Sequence, residues 1–120
     1  MIQTSEQYQH IVQGCREIFL KKTIDYGTSW RIARASSLTD QIFIKANRIR
    51  TIQETGENKV GESIDGEFGA MVNYCIMAII QCRSNDGFGL ELSEQEALTL
   101  YNEVALEAFE LMERKNHDYG

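Results

Sequence analysis

The stretch DGEFGAMVNYCIMAIIQCR, residues 65–83, decides the fold. Its apolar side chains, Phe68, Met71, Val72, Cys75, Ile76, Ile79 and Ile80 with Ala70, Met77 and Ala78, fall on nearly every side of a helical wheel and show no alternation. That pattern predicts a central, buried helix from about Asp65 to Arg83. Working outward, Tyr8, Ile11, Val12, Cys15, Ile18 and Phe19 recur at spacings of three and four and predict a first helix from about Ser5 to Lys22. A loop over Thr23 to Ala35 follows, holding the chain's one tryptophan with Arg31 and Arg34. Ser37-x-x-Asp40 resembles a capping box and predicts a second helix that stops near Gly56. Ser93-x-x-Glu96 caps a fourth helix running to about Lys115. With no proline and no period-two run, the class is all-α, a small helical bundle of about four helices.

The chain also repeats itself. Lys22-Thr23-Ile24-Asp25-Tyr26-Gly27 returns as Lys115-Asn116-His117-Asp118-Tyr119-Gly120, and the same offset of 93 residues pairs Tyr8 with Tyr101, Ile11 with Val104, Glu17 with Glu110, Ile18 with Leu111 and Phe19 with Met112. Self-similarity of this kind marks repeated units. The expectation is a first helical unit over residues 1–92, followed over 93–120 by the first helix and motif of a truncated second unit of a tandem repeat, packed with the first as one domain. Tyr101, Val104, Ala105, Ala108 and Met112 would then form an apolar face built for a missing partner, and a homodimer is expected to cover it.

Composition narrows the function classes. The net charge of −6 disfavours binding to long nucleic acid, which rests on many phosphate contacts. Residues 21–50 nevertheless carry seven basic side chains against Asp25 and Asp40, a local surplus suited to a small anion such as a nucleotide. Residues 91–113 hold seven glutamates and no base, and the face carrying Glu96, Glu103, Glu107 and Glu110 reads as solvated surface. No apolar run approaches the length of a membrane span, and the first residues lack the basic start and apolar core of a secretory signal, so a cytoplasmic protein without a membrane partner is expected. Cys15, Cys75 and Cys82 form no C-x-x-C pair and fall at positions that helical periodicity would bury, which predicts reduced core thiols. Gly-rich phosphate loops, zinc spacings and nucleophile elbows are absent.

Lys45 is the most telling single residue. Leu38, Ile42, Ile49 and Ile52 lie within roughly 80° on the wheel of the second helix, and Lys45 projects from the middle of that stripe. A cation there needs an anionic partner, or else its head snorkels to water. Other candidates carry two readings as well. Asp40 caps a helix or binds a metal; Asp25-Tyr26-Gly27 is a helix stop with glycine in the left-handed region or part of a binding motif. Glu62 and Glu67 favour a helix N-terminus or ligate a metal. Asn73, inside an apolar run, is a satisfied buried amide or a ligand contact.

Lys22-x-x-Asp25-Tyr26-Gly27 with Trp30-Arg31, Ser37-Leu38-Thr39-Asp40 with Lys45 and Arg48-Ile49, and Gly61-Glu62-Ser63-Ile64 leading to Asn73-Tyr74 together resemble the nucleotide-modification-associated domain family over almost the whole chain. That resemblance implies a setting in phage and bacterial nucleotide-modification systems, and tandem copies in some bacterial members. The pattern is similar also to the all-α nucleotide pyrophosphohydrolases, the MazG-like and dimeric dUTPase group, in which helix-borne carboxylates hold Mg²⁺. By that likeness Asp40, Glu62 and Glu67 would hold Mg²⁺, or Mn²⁺ as a substitute, and carry the catalysis. Lys22, Arg31, Lys45 and Arg48 would contact phosphates, Trp30 or Tyr26 would stack on the base, and Asp25 and Asn73 would complete the substrate site. The reaction implied is cleavage of an NTP or dNTP between its α and β phosphates. By that likeness an aspartate often stands where this chain has Ala70, so the E-x-x-D metal signature is missing from the third helix. The alternative is a non-catalytic helical module that binds a nucleotide or a protein partner.

Overall fold

The computed structural model describes residues 2–56, 63–84 and 91–119, with Ile2 and Tyr119 as backbone only. The elements run α1 (Ile2–Tyr26), a 3₁₀ turn (Ser29–Ile32), α2 (Ala35–Thr55), α3 (Ile64–Arg83) and α4 (Glu94–Tyr119). The protein is all-α, with four long helices and no strand among the described residues. None of the described helices is long and apolar enough to cross a membrane.

Contacts divide the chain into two units, Met1–Ser29 with Glu91–Gly120, and Trp30–Leu90. In the first, α1 and α4 pack antiparallel: Tyr8 lies 5.6 Å from Phe109, the Arg16 Nε donates to Asn102 at 2.7 Å, and Phe19 stacks on Tyr101 at 4.6 Å. Cys15, Phe19, Ala97, Tyr101, Val104 and Ala105 are buried, and burial pushes the Cys15 thiol and the Tyr101 hydroxyl above their ordinary pKa values. The face of α4 expected to await a partner is therefore covered from Tyr101 to Ala105, because α1 packs against it within the chain; Ala108 is exposed and Met112 half-buried.

In the second unit α2 and α3 also run antiparallel, joining Leu38 and Ile49 to Ile76 and Ile80 among the buried residues. Here the expectation of a helix buried on all sides fails. Phe68 is 49% and Ile79 40% exposed, and Cys75 and Cys82 are exposed thiols in place of core ones. Among the described residues of the unit α2 is the helix packed against it, which buries Asn73, Ile76 and Ile80 and leaves Phe68, Cys75, Ile79 and Cys82 exposed.

Helix ends follow local chemistry more closely. At Glu96 and Ser93 a reciprocal capping box forms as expected, with Glu96 N–H donating to the Ser93 hydroxyl at 3.1 Å and Ser93 N–H to the Glu96 carboxylate at 3.0 Å. Those bonds hold the Glu96 carboxyl below its usual range. Ser63 caps α3 by accepting from Gly66 N–H. Gly27 and Gly56 take the left-handed conformation, at φ 74° and 73°, and end α1 and α2. Other limits differ from expectation: α1 begins at Ile2 and α4 runs on to Tyr119, each beyond the predicted bound. The first helix continues through Thr23, whose hydroxyl bonds back to the Phe19 carbonyl at 2.8 Å, so the connection to α2 is short. The second helix begins at Ala35 behind an extended Arg34 that makes no side-chain cap, so Ser37 and Asp40 form no capping box.

Candidate functional site

The second unit gathers the charged residues into one cluster. Lys45 sits on the apolar stripe of α2 because Leu38 and Ile49 flank it in the interior, and its side chain is only 11% exposed. Its counter-ion comes from the first turn of α3: Glu67 is fully buried, its Oε2 lies 3.3 Å from Lys45 Nζ, and its Oε1 lies 3.9 Å from Arg48 Nη1. Neither Glu67 oxygen has a geometric hydrogen bond among the described residues, so the carboxylate is held by charge. Burying an ion is costly unless a partner compensates it, and here two cations lie beside the carboxylate. Arg48, with its side chain 41% exposed, brings its guanidinium to the surface.

A second polar knot anchors the entry to α2. Arg31 is buried, and its Nη1 donates to the Gln81 side-chain oxygen. The Gln81 amide in turn donates to the Arg31 carbonyl at 2.9 Å and the Ala33 carbonyl at 2.7 Å. Trp30 is half-buried, with the Arg31 guanidinium 5.9 Å from its ring centre. The end of α3 thus grips the turn before α2, which explains why that helix starts two residues before Ser37 without a cap of its own.

The remaining candidates are dispersed. Lys22, Asp25 and Tyr26 are exposed in the last turns of α1, where Gly27 N–H closes on the Thr23 carbonyl at 2.8 Å as a helix stop. Asp40 is exposed and lies roughly 140° around α2 from Lys45. Asn73 is buried on α3. Glu62 lies outside the described residues. Among the described residues no three His, Cys, Asp or Glu side chains gather so as to hold a metal ion. Among the described residues Glu67 is the carboxylate that Lys45 and Arg48 both approach, and a divalent cation beside it would compete with the Lys45 ammonium, so the described residues by themselves do not fit a carboxylate cage for Mg²⁺.

Sequence reasoning placed Lys45 and required an anion for it, but assigned Glu67 to a metal and Arg31 to a phosphate. Gln81 was missed altogether; the available signal was an amide directly after Ile79-Ile80, the same kind of interruption that marked Asn73.

The family model described as nucleotide modification associated domain 1 matches residues 22–82, just over half of the chain. No curated protein and no solved structure matches.

Proposed function

This chain belongs to the nucleotide modification associated domain 1 family, and from that premise we propose that it is a nucleotide-binding helical module whose α2 contacts phosphate through Arg48, with Lys45 behind it. One observation carries the reading: within the family-matched residues, Lys45 and Arg48 converge on one buried carboxylate, and Arg48 is held there with its side chain 41% exposed, a guanidinium within reach of an incoming anion. A guanidinium offers a planar fork of donors that a phosphate can accept in pairs, and partial exposure leaves it reachable. Glu67 positions both cations and does not itself touch the ligand. Binding without cleavage is the form this reading takes, since among the described residues the carboxylate beside Lys45 and Arg48 is paired with the lysine.

Calorimetric titration with ATP and dATP, with and without Mg²⁺, tests this. Binding that is independent of Mg²⁺ and weakens by about tenfold or more in Arg48→Gln is expected, because one charge-assisted contact is worth about 1.5–3 kcal/mol, about 10- to 150-fold. Arg48 is the informative position, since replacing Lys45 would also disturb the fold. Mg²⁺-dependent binding that vanishes in Glu67→Gln, with hydrolysis to a monophosphate, would replace this reading with the pyrophosphohydrolase one. No heat with any nucleotide would sink both.

A further inference from the structure

The first unit holds a groove that the nucleotide reading leaves unused. It lies between α1 and α4, encloses ≈ 520 Å³, and is built wholly from those two helices, outside the family-matched residues. That volume is within the range of small-molecule sites. Its polarity runs in one direction. At one end Arg16 donates from Nε to Asn102 and from Nη1 to Gln13. The middle is Val12 facing Ala105 and Leu106, and the far end is the tilted Tyr8–Phe109 ring pair. Eight residues of α1 separate Tyr8 from Arg16, about 12 Å at the helical rise.

Three features specify an occupant. Arg16 is the sole charged side chain lining the groove. Its neighbours are neutral amides and the Tyr101 ring, 6.0 Å away, and it forms no ion pair with a carboxylate among the described residues, so its charge is held in place without being neutralised. Leu106 on the opposite wall is 56% exposed, apolar surface that an elongated ligand would cover. The two walls also occupy matching positions under the 93-residue offset, yet α1 presents Gln9, Gln13 and Arg16 where α4 presents Asn102, Leu106 and Phe109, so one wall is polar and the other largely apolar. We propose that this groove binds a free medium-chain carboxylate, its head on the Arg16 guanidinium and its chain lying over Val12 and Leu106 toward the Tyr8–Phe109 pair.

The probe is decanoate, below its micellar range, titrated calorimetrically into the full chain. Affinity should rise about tenfold or slightly more for each pair of methylenes from hexanoate through octanoate to decanoate, the gain expected for burying the added chain. Arg16→Gln should weaken decanoate about tenfold and leave decanol unchanged, whereas Arg114→Gln, at an exposed arginine on α4 away from the groove, should change neither. Leu106→Asp, at an exposed site that the fold does not need, should abolish decanoate binding with helix content intact by circular dichroism, which keeps the test valid if Arg16→Gln misfolds. Equal losses in the Arg16 and Arg114 variants, or no dependence on chain length, would overturn the proposal. So would light scattering that shows a dimer dissociated by Leu106→Asp, since a second copy would then fill the groove, or Arg16-dependent sedimentation with phosphatidylglycerol vesicles, since the groove would then be a membrane contact.

Discussion

Replacing Lys45 by methionine isolates the central electrostatic claim. The substitution keeps most of the side-chain volume on the α2 stripe, so packing changes little. What it removes is the nearer of the two cations around a carboxylate with no solvent exposure, leaving Glu67 with Arg48 at 3.9 Å. Arg48 is 41% exposed and screened by water, so it compensates only a fraction of the charge. Stranding a buried charge in this way costs about 3–5 kcal/mol; allowing for the Arg48 contribution, the lower end, about 3 kcal/mol, is expected. At about 4 °C per kcal/mol the melting temperature should fall by about 12 °C. Glu67→Met alone should also destabilise, because it removes the buried carboxylate that lies 3.3 Å from the Lys45 ammonium. The double variant Lys45→Met, Glu67→Met should return close to wild type, since an apolar pair of similar volume replaces an ion pair at little net cost. Urea unfolding of all four proteins closes the cycle and yields a coupling energy of several kcal/mol. A loss below about 1 kcal/mol in Lys45→Met, with additive single effects, would refute the reasoning: the lysine head would then be solvated and the ion pair would contribute little.

Gln81→Leu removes the acceptor for buried Arg31 and the donor to the Arg31 and Ala33 carbonyls, so a loss of about 2–3 kcal/mol is expected by urea unfolding, with amide exchange fastest at the start of α2. The Ser93–Glu96 box should make the start of α4 pH-dependent. Its bonds lower the Glu96 pKa in the folded state, so their contribution is fully present above the ordinary value of 4.5 and is lost as pH falls through the folded value. Amide protection near Ala97 should decline on acidification in wild type and show a flatter profile in Glu96→Gln.

Much of the architecture was legible in the residues alone because its determinants are local. Three-and-four spacing marked the first two helices and apolar composition the third, Ser93-x-x-Glu96 set the start of the fourth, and Gly27 and Gly56 set two stops, the caps and stops through bonds closed within one turn. The demand for a counter-ion at Lys45 was local too, since it followed from one helix's stripe. The identity of that counter-ion was not. Glu67 and Gln81 act across the α2–α3 contact, and a sequence does not state which turns of two antiparallel helices will face each other. The same ignorance misled the reading of α3, where an apolar composition gave no count of the neighbours available to cover it and left Phe68 and Cys75 at the surface. In α4 likewise, the periodicity marked an apolar face but not that α1 of the same chain would pack on Tyr101, Val104 and Ala105. Periodicity reports that a face needs covering; only the tertiary arrangement, which sets distances between residues far apart in the chain, decides what covers it and which buried charges meet.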